Sequence, residues 1–543
     1  MRTFTCFSFA LVLILSSHTV VADDRSDLLK LKNTTMNLIE ALVNEGILSR
    51  ERADQLIREA EASARVEVET EERKVTEDKS VVRVPYVPEF VRDEIKDEVR
   101  SELREAVVND VMSQAKNERW GIPGALPEWI SRIKLKGDIR LRAQGDLFAD
   151  KNIANSYPNF REINDSGGIA QAGDEAFLNT TKNRYRLRTR MRLGVDAKIS
   201  NDLKAGIRLA TGNRDDPVST NQTLGTYGKR WEIGVDRAFL RYNRVNADNY
   251  NWLTLQGGRF ANPFFTTDLV WDKDLSFDGV TATLRYGLGG ADSLLDIDEK
   301  NRTLFLNMGA FPVQEVDISS SDKWLFGVQS GYEQLFQNQS TFKIGLGYYN
   351  YWNIGGKQNR PNSDKYDFTA PEFVQKGNTL FNIADPANPT KQLFALASDY
   401  NLIVATARLD LANFSPTHVI LTTEYVRNIG YDEDNVSERT GLDVSGETDG
   451  YQVTLLVGWP KIRKYRDWRV SASWKHLERD AVIDGFADSD FHLGGTDTEG
   501  WILRGAYGLN ENTWLQARWL STDEISGPAL GIDTIQLDLN SRF

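Results

Sequence analysis

Five arginines occupy alternate positions of one short stretch: Arg184, Arg186, Arg188, Arg190 and Arg192. Between and after them come Tyr185, Leu187, Met191, Leu193 and Val195. A strand sends successive side chains to opposite faces, so this spacing puts five guanidiniums on one face and an apolar set on the other. Such a row cannot sit in an ordinary core. It requires a wet interior or an acidic partner surface. The preceding stretch repeats the pattern with Lys134, Lys136, Arg140 and Arg142, and Arg208, Arg237 and Arg241 extend the basic set. The acidic counterpart is the segment from Phe260 to Asp274, which carries Asp268, Asp272 and Asp274 among Phe264, Phe265, Leu269, Val270 and Trp271. A loop of that composition should avoid solvent, and folding it inward sets aspartates across a narrow space from arginines. The chemistry this points to is electrostatic. Opposed charge rows inside a low-dielectric wall create a transverse field that orients dipolar solutes and disfavours apolar ones. The expected pore-lining set is therefore Arg140, Arg142, Arg186, Arg188, Arg190, Arg192, Arg208, Arg237, Arg241, Asp268, Asp272 and Asp274. The alternative is that these groups pair with one another and fill the space.

Other chemistries find little support. Cys6 is the only cysteine and lies in the first residues, so disulfides, cysteine zinc sites and cysteine nucleophiles are not expected. Of four histidines, His18 is equally early, and His418, His476 and His492 have no serine or aspartate pattern beside them. They read as rim residues, so no catalytic residue, metal or cofactor is expected. Asp432-Glu433-Asp434-Asn435 lacks the glycine and distal glutamate of a calcium loop and reads as a solvated acidic loop. A net charge of −13 argues against nucleic acid as a partner.

The elements that must position the charged rows follow from the hydropathy period. Residues 1–22 have a basic start at Arg2, an apolar run and a small-residue exit at Val20-Val21-Ala22, the form of a secretory signal. Residues 23–118 have helical spacing. Leu28, Leu31, Leu38, Leu42 and Val43 precede Gly46, and Ser49 then caps a second helix. Later Val91, Ile95, Val99, Leu103, Val107 and Val111 form a narrow stripe that needs a helical partner, most simply a coiled coil between protomers. Residues 119–132 hold Trp120, Pro123, Pro127 and Trp129 and read as a joint at a membrane interface.

From residue 133 to 543 the period is two. Strands are expected from 133 and 184, then near 203–211, 232–243, 252–259, 277–286, 302–312, 323–334, 341–352, 399–411 and 417–428. Further strands follow near 450–460, 468–478, 500–509, 513–522 and 533–543. Long and short connections alternate, as in bacterial barrels with external loops and short periplasmic turns. The expected fold is thus an all-β transmembrane, antiparallel 16-stranded outer-membrane β-barrel, preceded by a periplasmic α-helical segment.

Several stretches resemble the Gram-negative putative-porin family, and more loosely the 16-stranded trimeric porins. They are Arg83 to Phe90, Asn117 to Gly124, the arginine-rich second strand, Asn213 to Leu224, Gly257 to Phe264 and the terminal Phe543. The final strand resembles the C-terminal signal read by the barrel-assembly machinery. The resemblance implies a diffusion channel in the Gram-negative outer membrane, a homotrimer, surrounding lipid, and a constriction loop after the fifth strand. A tether that grips peptidoglycan through the N-terminal helices, or a barrel enzyme, are the competing readings.

Overall fold

The computed structural model describes residues 132–246, 250–288 and 301–543. The signal, the helical segment and all of the joint except Arg132 lie outside the described residues.

Sixteen long strands and one two-residue segment form a single closed antiparallel sheet. In chain order they are β1 (Ile133–Phe148), β2 (Arg184–Lys198), β3 (Leu203–Thr211), β4 (Ile233–Val245), β5 (Asn251–Ala261), β6 (Ser276–Gly287), β7 (Arg302–Gln314) and β8 (Lys323–Leu335). Then come β9 (Thr341–Trp352), β10 (Asn401–Phe414), β11 (Thr417–Asn428), β12 (Asp449–Gly458), β13 (Trp468–Leu477), β14 (Thr498–Gly508), β15 (Thr513–Glu524) and β16 (Gly531–Arg542). Each strand pairs with its sequence neighbours, and β16 returns to β1 with Asn540 opposite Arg140 and Asp538 opposite Arg142. Closure leaves no open edge, which is what a sheet in lipid requires, because hydrocarbon offers no partner for a free N–H or C=O.

Alternation separates the two solvents. On β1, Leu135, Ile139 and Leu141 are exposed on the outside, whereas Arg140, Arg142, Gln144 and Asp146 are buried on the inside. On β16, Ile535, Leu537 and Leu539 face out, and Gln536, Asp538 and Asn540 face in. Expected strand positions agree with the observed ones, except that β1 continues beyond Arg142 to Phe148. The extension is held by β16, whose Gln536 and Thr534 lie opposite Gln144 and Asp146.

Connections alternate as the period-two reading requires. One end carries the loops L1 (149–183), L2 (212–232), L3 (262–275), L4 (315–322), L5 (353–400), L6 (429–448), L7 (478–497) and L8 (525–530). The other end carries mostly shorter turns, the exceptions being the connections 288–301 and 459–467, which exceed L4 and L8 in length. Two departures from regular pairing shape the wall. A bulge between β3 and β4, where Arg208 faces Arg237 but Leu209 faces Val235, turns both Asp236 and Arg237 inward. On β5 and β6, Gly258 and Gly279 lie opposite each other with φ of +110° and +144°; a Cβ there would meet the carbonyls of Ala238 and Ala310 at 2.3 Å. Only glycine permits that close approach.

β3 is short. It pairs with β2 only as far as Arg192, and above that point Gln222 and Thr223 of L2 take its place opposite Thr189 and Arg188. L1, L5 and L6 pack over the loop end. Asn164 of L1 exchanges two hydrogen bonds with the Phe394 backbone at 2.9 and 2.7 Å, and Val436 of L6 joins Phe381, Ile383, Ala395 and Ala397 of L5. Asp432 to Asn435 are exposed, as expected of a solvated acidic stretch, and Asp432 caps a short helix, Glu433–Thr440, by accepting from Asn435 N.

Candidate functional site

L3 crosses the lumen. It leaves the wall at β5 and rejoins it at β6, yet its middle is held by strands far around the barrel. Phe265 N donates to Gln329 on β8 at 2.8 Å, and the Gln329 amide donates back to Phe265 O at 2.8 Å. Glu424 on β11 accepts from Thr267 N at 3.0 Å, Gln452 on β12 donates to the Asp268 carboxylate at 2.8 Å, and Lys475 on β13 donates to Asp268 O at 2.9 Å. The apolar residues that made this segment unlike a solvated loop account for the fold-back. Phe264 and Trp271 pack edge-on against Tyr349 at 4.9 and 4.7 Å, Trp271 also meets Phe277 at 5.3 Å, and Phe311 completes the cluster. The indole N–H donates to Tyr351 OH at 3.1 Å, satisfying the polar handle of a buried tryptophan.

The returning limb of L3 meets the arginine wall. Asp274 accepts from Arg192 at 3.2 Å and from Thr220 of L2 at 3.1 Å, with Arg190 at 4.0 Å. Burial would raise the Asp274 carboxyl, but Lys273, Arg190 and Arg192 hold it below its ordinary value. Asp268 and Asp272 do not meet the arginine row. Asp268 lies toward β12 and β13, where burial opposes ionisation and Lys475 and Lys273 overcome it. Asp272 is turned toward L7 and accepts from Ser489 N at 3.0 Å. Burial, then the neighbouring Asp488, push its carboxyl up to about 8.

Most of the basic row is paired. Arg186 bridges to Asp146 at 2.6 Å, Arg190 and Arg192 share Asp138 at 2.8 and 2.7 Å, and Arg208 pairs with Asp236 across the bulge. Arg142 is clasped by Asp538 at 2.7 Å and by Asp490 of L7 at 3.0 Å. The remaining four hold neutral oxygens: Arg140 donates to Asn221, Arg188 to Gln144 at 3.4 Å, Arg237 to Ser276 at 3.3 Å and Arg241 to Gln256 at 2.7 Å.

L7 is the part of the interior that the sequence reading did not assign. Its place between two strands marks it as an external loop, yet Ala481, Val482, Ile483, Asp484, Ala487, Asp488, Phe491 and His492 are all buried. Phe486 O accepts from Asp272 N at 2.8 Å, Lys475 faces Asp488 at 3.6 Å, and Asp490 joins Arg142 to Arg518 at 2.8 Å. The available signal was the same as for L3, a run of apolar residues interleaved with aspartates. His492, expected at the rim, is enclosed, with Thr522 and Glu524 each 2.8 Å from its ring nitrogens. Burial, then the nearby Lys376, drive its pKa well below the usual histidine range.

Above L3, toward the loop end, lies a cavity of about 870 Å³. L1, L2, L3, L5, L7 and the walls of β3 to β9 line it, with Asp216, Asp274, Lys323, Trp271 and Tyr351 among the lining residues. The site is thus a partitioned lumen: aromatic packing on one wall, an arginine row on the other, and two loops between them.

A family model described as "Putative porin" matches residues 32–543, and the chain belongs to that family. It is an outer-membrane β-barrel porin. No curated protein matches the chain. Among solved structures, OprB of Pseudomonas putida at high pH is similar at 11% identity, with 77% of this chain and 96% of that one covered and a TM-score of 0.42. The outer-membrane channel DcaP of Acinetobacter baumannii is similar at 10% identity, with 76% and 97% covered and a TM-score of 0.40.

Proposed function

We propose that the barrel is a passive diffusion channel for small hydrophilic solutes and ions, narrowed by L3 and L7 against the arginine wall. The observation that carries this reading is the Arg192–Asp274 contact at 3.2 Å, where a wall cation meets a carboxylate delivered across the lumen by a loop. Fixed charges of both signs that border a water path, inside a low-dielectric wall, act on whatever passes beside them. The pore-lining set is read as Arg140, Arg142, Arg186, Arg188, Arg190, Arg192, Arg208, Arg237, Arg241 and Asp274, with Asp268 and Asp272 anchoring L3. The loop end is external, since the longer connections of bacterial barrels face outward. The N-terminal segment 23–118 is read as periplasmic helices and the assembly as a homotrimer.

The test is electrical. Purified protein in planar bilayers should give discrete conductance steps, and charge reversal at Arg188 and Arg190 should move the reversal potential in a salt gradient toward cation preference. Unchanged conductance and selectivity in that double variant would remove the constriction assignment. A barrel without conductance that co-sediments with cell wall would favour the tether.

A further inference from the structure

Resting on the channel reading, we infer that Arg140 and Arg188 form an oxyanion station in the lumen, which passes small carboxylate-bearing solutes in preference to neutral ones of the same size. Arg142, Arg186, Arg190 and Arg192 each touch a carboxylate within 3.0 Å. Arg140 and Arg188, diagonal neighbours on β1 and β2, have no carboxylate within 4 Å among the described residues. Each is held instead by a side-chain amide oxygen, of Asn221 and Gln144 respectively; the Nε–H of each is buried without an acceptor, as it also is at Arg186, so the missing carboxylate is what sets the two apart. A guanidinium offers five donors in a fixed fork that matches a carboxylate, so both positions retain unused anion-binding capacity. Unpaired buried donors are costly, and the compensation missing from the protein is what an oxyanion supplies.

L7 already shows which group fits. Asp490 sits between Arg142 and Arg518 at 3.0 and 2.8 Å, and Arg140 is among the cations that act on it. It is a resident carboxylate tethered beside the station, one negative charge among several guanidiniums. L2 also links the station to the cavity. Ser219 and Thr220 of L2 line the 870 Å³ cavity, and the next residue, Asn221, holds Arg140. L2 thus runs from the cavity wall to the residue that holds Arg140. The station thereby separates two roles within one basic row: paired arginines set the wall, and unpaired ones meet the solute.

Liposome flux of gluconate against glucose tests this, since the two differ little in size and differ in charge. In wild-type protein the gluconate-to-glucose ratio should exceed unity after correction for membrane potential. Arg140→Gln with Arg188→Gln should lower that ratio roughly fivefold. Arg186→Gln, which removes a paired cation, should change the ratio by less than about half as much. Asp490→Asn, which removes the resident competitor, should raise it, giving a change of opposite sign that a folding defect would not produce. Heat-modifiable gel mobility confirms that each variant is a folded barrel. A ratio that ignores the double variant, or that falls equally in Arg186→Gln, overturns the station while the channel stands. Absence of flux for either solute in the wild type overturns the channel reading itself.

Discussion

The two lumen walls of this barrel are built from the same alternating pattern but hold their contents differently. Along β5 to β9 the inward side chains include Phe277, Phe311, Tyr349 and Tyr351, which pack directly on Phe264 and Trp271 of L3, and Phe260, which meets Phe311. Along β16, β1 and β2 they are Asp538, Arg142, Asp138, Arg190 and Arg192, joined in ion pairs. Aromatic burial is tolerant of small shifts but indifferent to charge, so it suits anchoring. Charge pairs are intolerant of a missing partner and sense passing ions, so they suit selection. The division shows that a barrel interior is not uniformly wet: one side can serve as a dry foundation for a loop whose other side faces the water path.

The strongest way to break the comparison is to remove one member from each wall. Trp271→Ala should destabilise the barrel by roughly 3–5 kcal/mol, the cost of deleting a large buried aromatic. It should also make single-channel currents noisy, with the reversal potential unchanged. Arg142→Ala should cost about 3–5 kcal/mol as well, because it strands Asp538 and leaves Asp490 to Arg518 alone. Here the reversal potential should move, and thermal unfolding paired with bilayer recording would tell the two apart. Equal electrical phenotypes would erase the division between walls.

A smaller effect tests the contact between the two loops. Asp272 has a folded pKa of about 8 against an ordinary value of 3.8, so the folded state retains a proton that the unfolded state releases. Its contribution is fully present below pH 3.8 and is lost as the pH rises through about 8. Asp484 of L7, pushed by burial to about 7, acts in the same direction. Raising the pH from 6 to 9 should therefore lower the unfolding midpoint and increase current noise, and Asp272→Asn should flatten much of that slope. A wild-type midpoint that rises over this interval would contradict the sign. The smallest expected change is at the exposed Lys151–Asp523 pair, where Lys151→Gln should alter stability by less than about 0.5 kcal/mol and leave selectivity intact.

The barrel was readable because its two solvents impose a strict period, and that period survives in Ile133 to Arg142 and in Ile535 to Asn540 without reference to any distant contact. L3 was readable for a related reason, since Phe264, Phe265, Leu269, Val270 and Trp271 make no sense in open water. L7 carries a weaker version of that message. Asp480, Asp484, Asp488 and Asp490 disguise Val482, Ile483, Phe486 and Phe491, and charge density in a long connection is the ordinary mark of an external loop. Pairing was not readable at all. Arg142 and Asp538 meet at 2.7 Å only because the last strand closes on the first, and no local pattern records that register. Nor does alternation reveal the bulge that turns Asp236 and Arg237 to the same side. It also gives no hint that Asp268 and Asp272 turn away from the arginines while Asp274 meets them.

The brevity of β3 leaves a notch between lipid and lumen that is patched by two residues of L2, Gln222 and Thr223, with Leu224 N donating to Leu187 O at 2.8 Å. That stretch of connection works as masonry. Beyond it, Tyr227 stands wholly in solvent. An epitope inserted after Gly225 should merely lengthen a free tip, whereas one inserted after Thr220 should unplug the slot and let bilayer hydrocarbon touch the water path. A lipid-bound fluorophore quenched by a small aqueous ion in the second case alone would expose that difference.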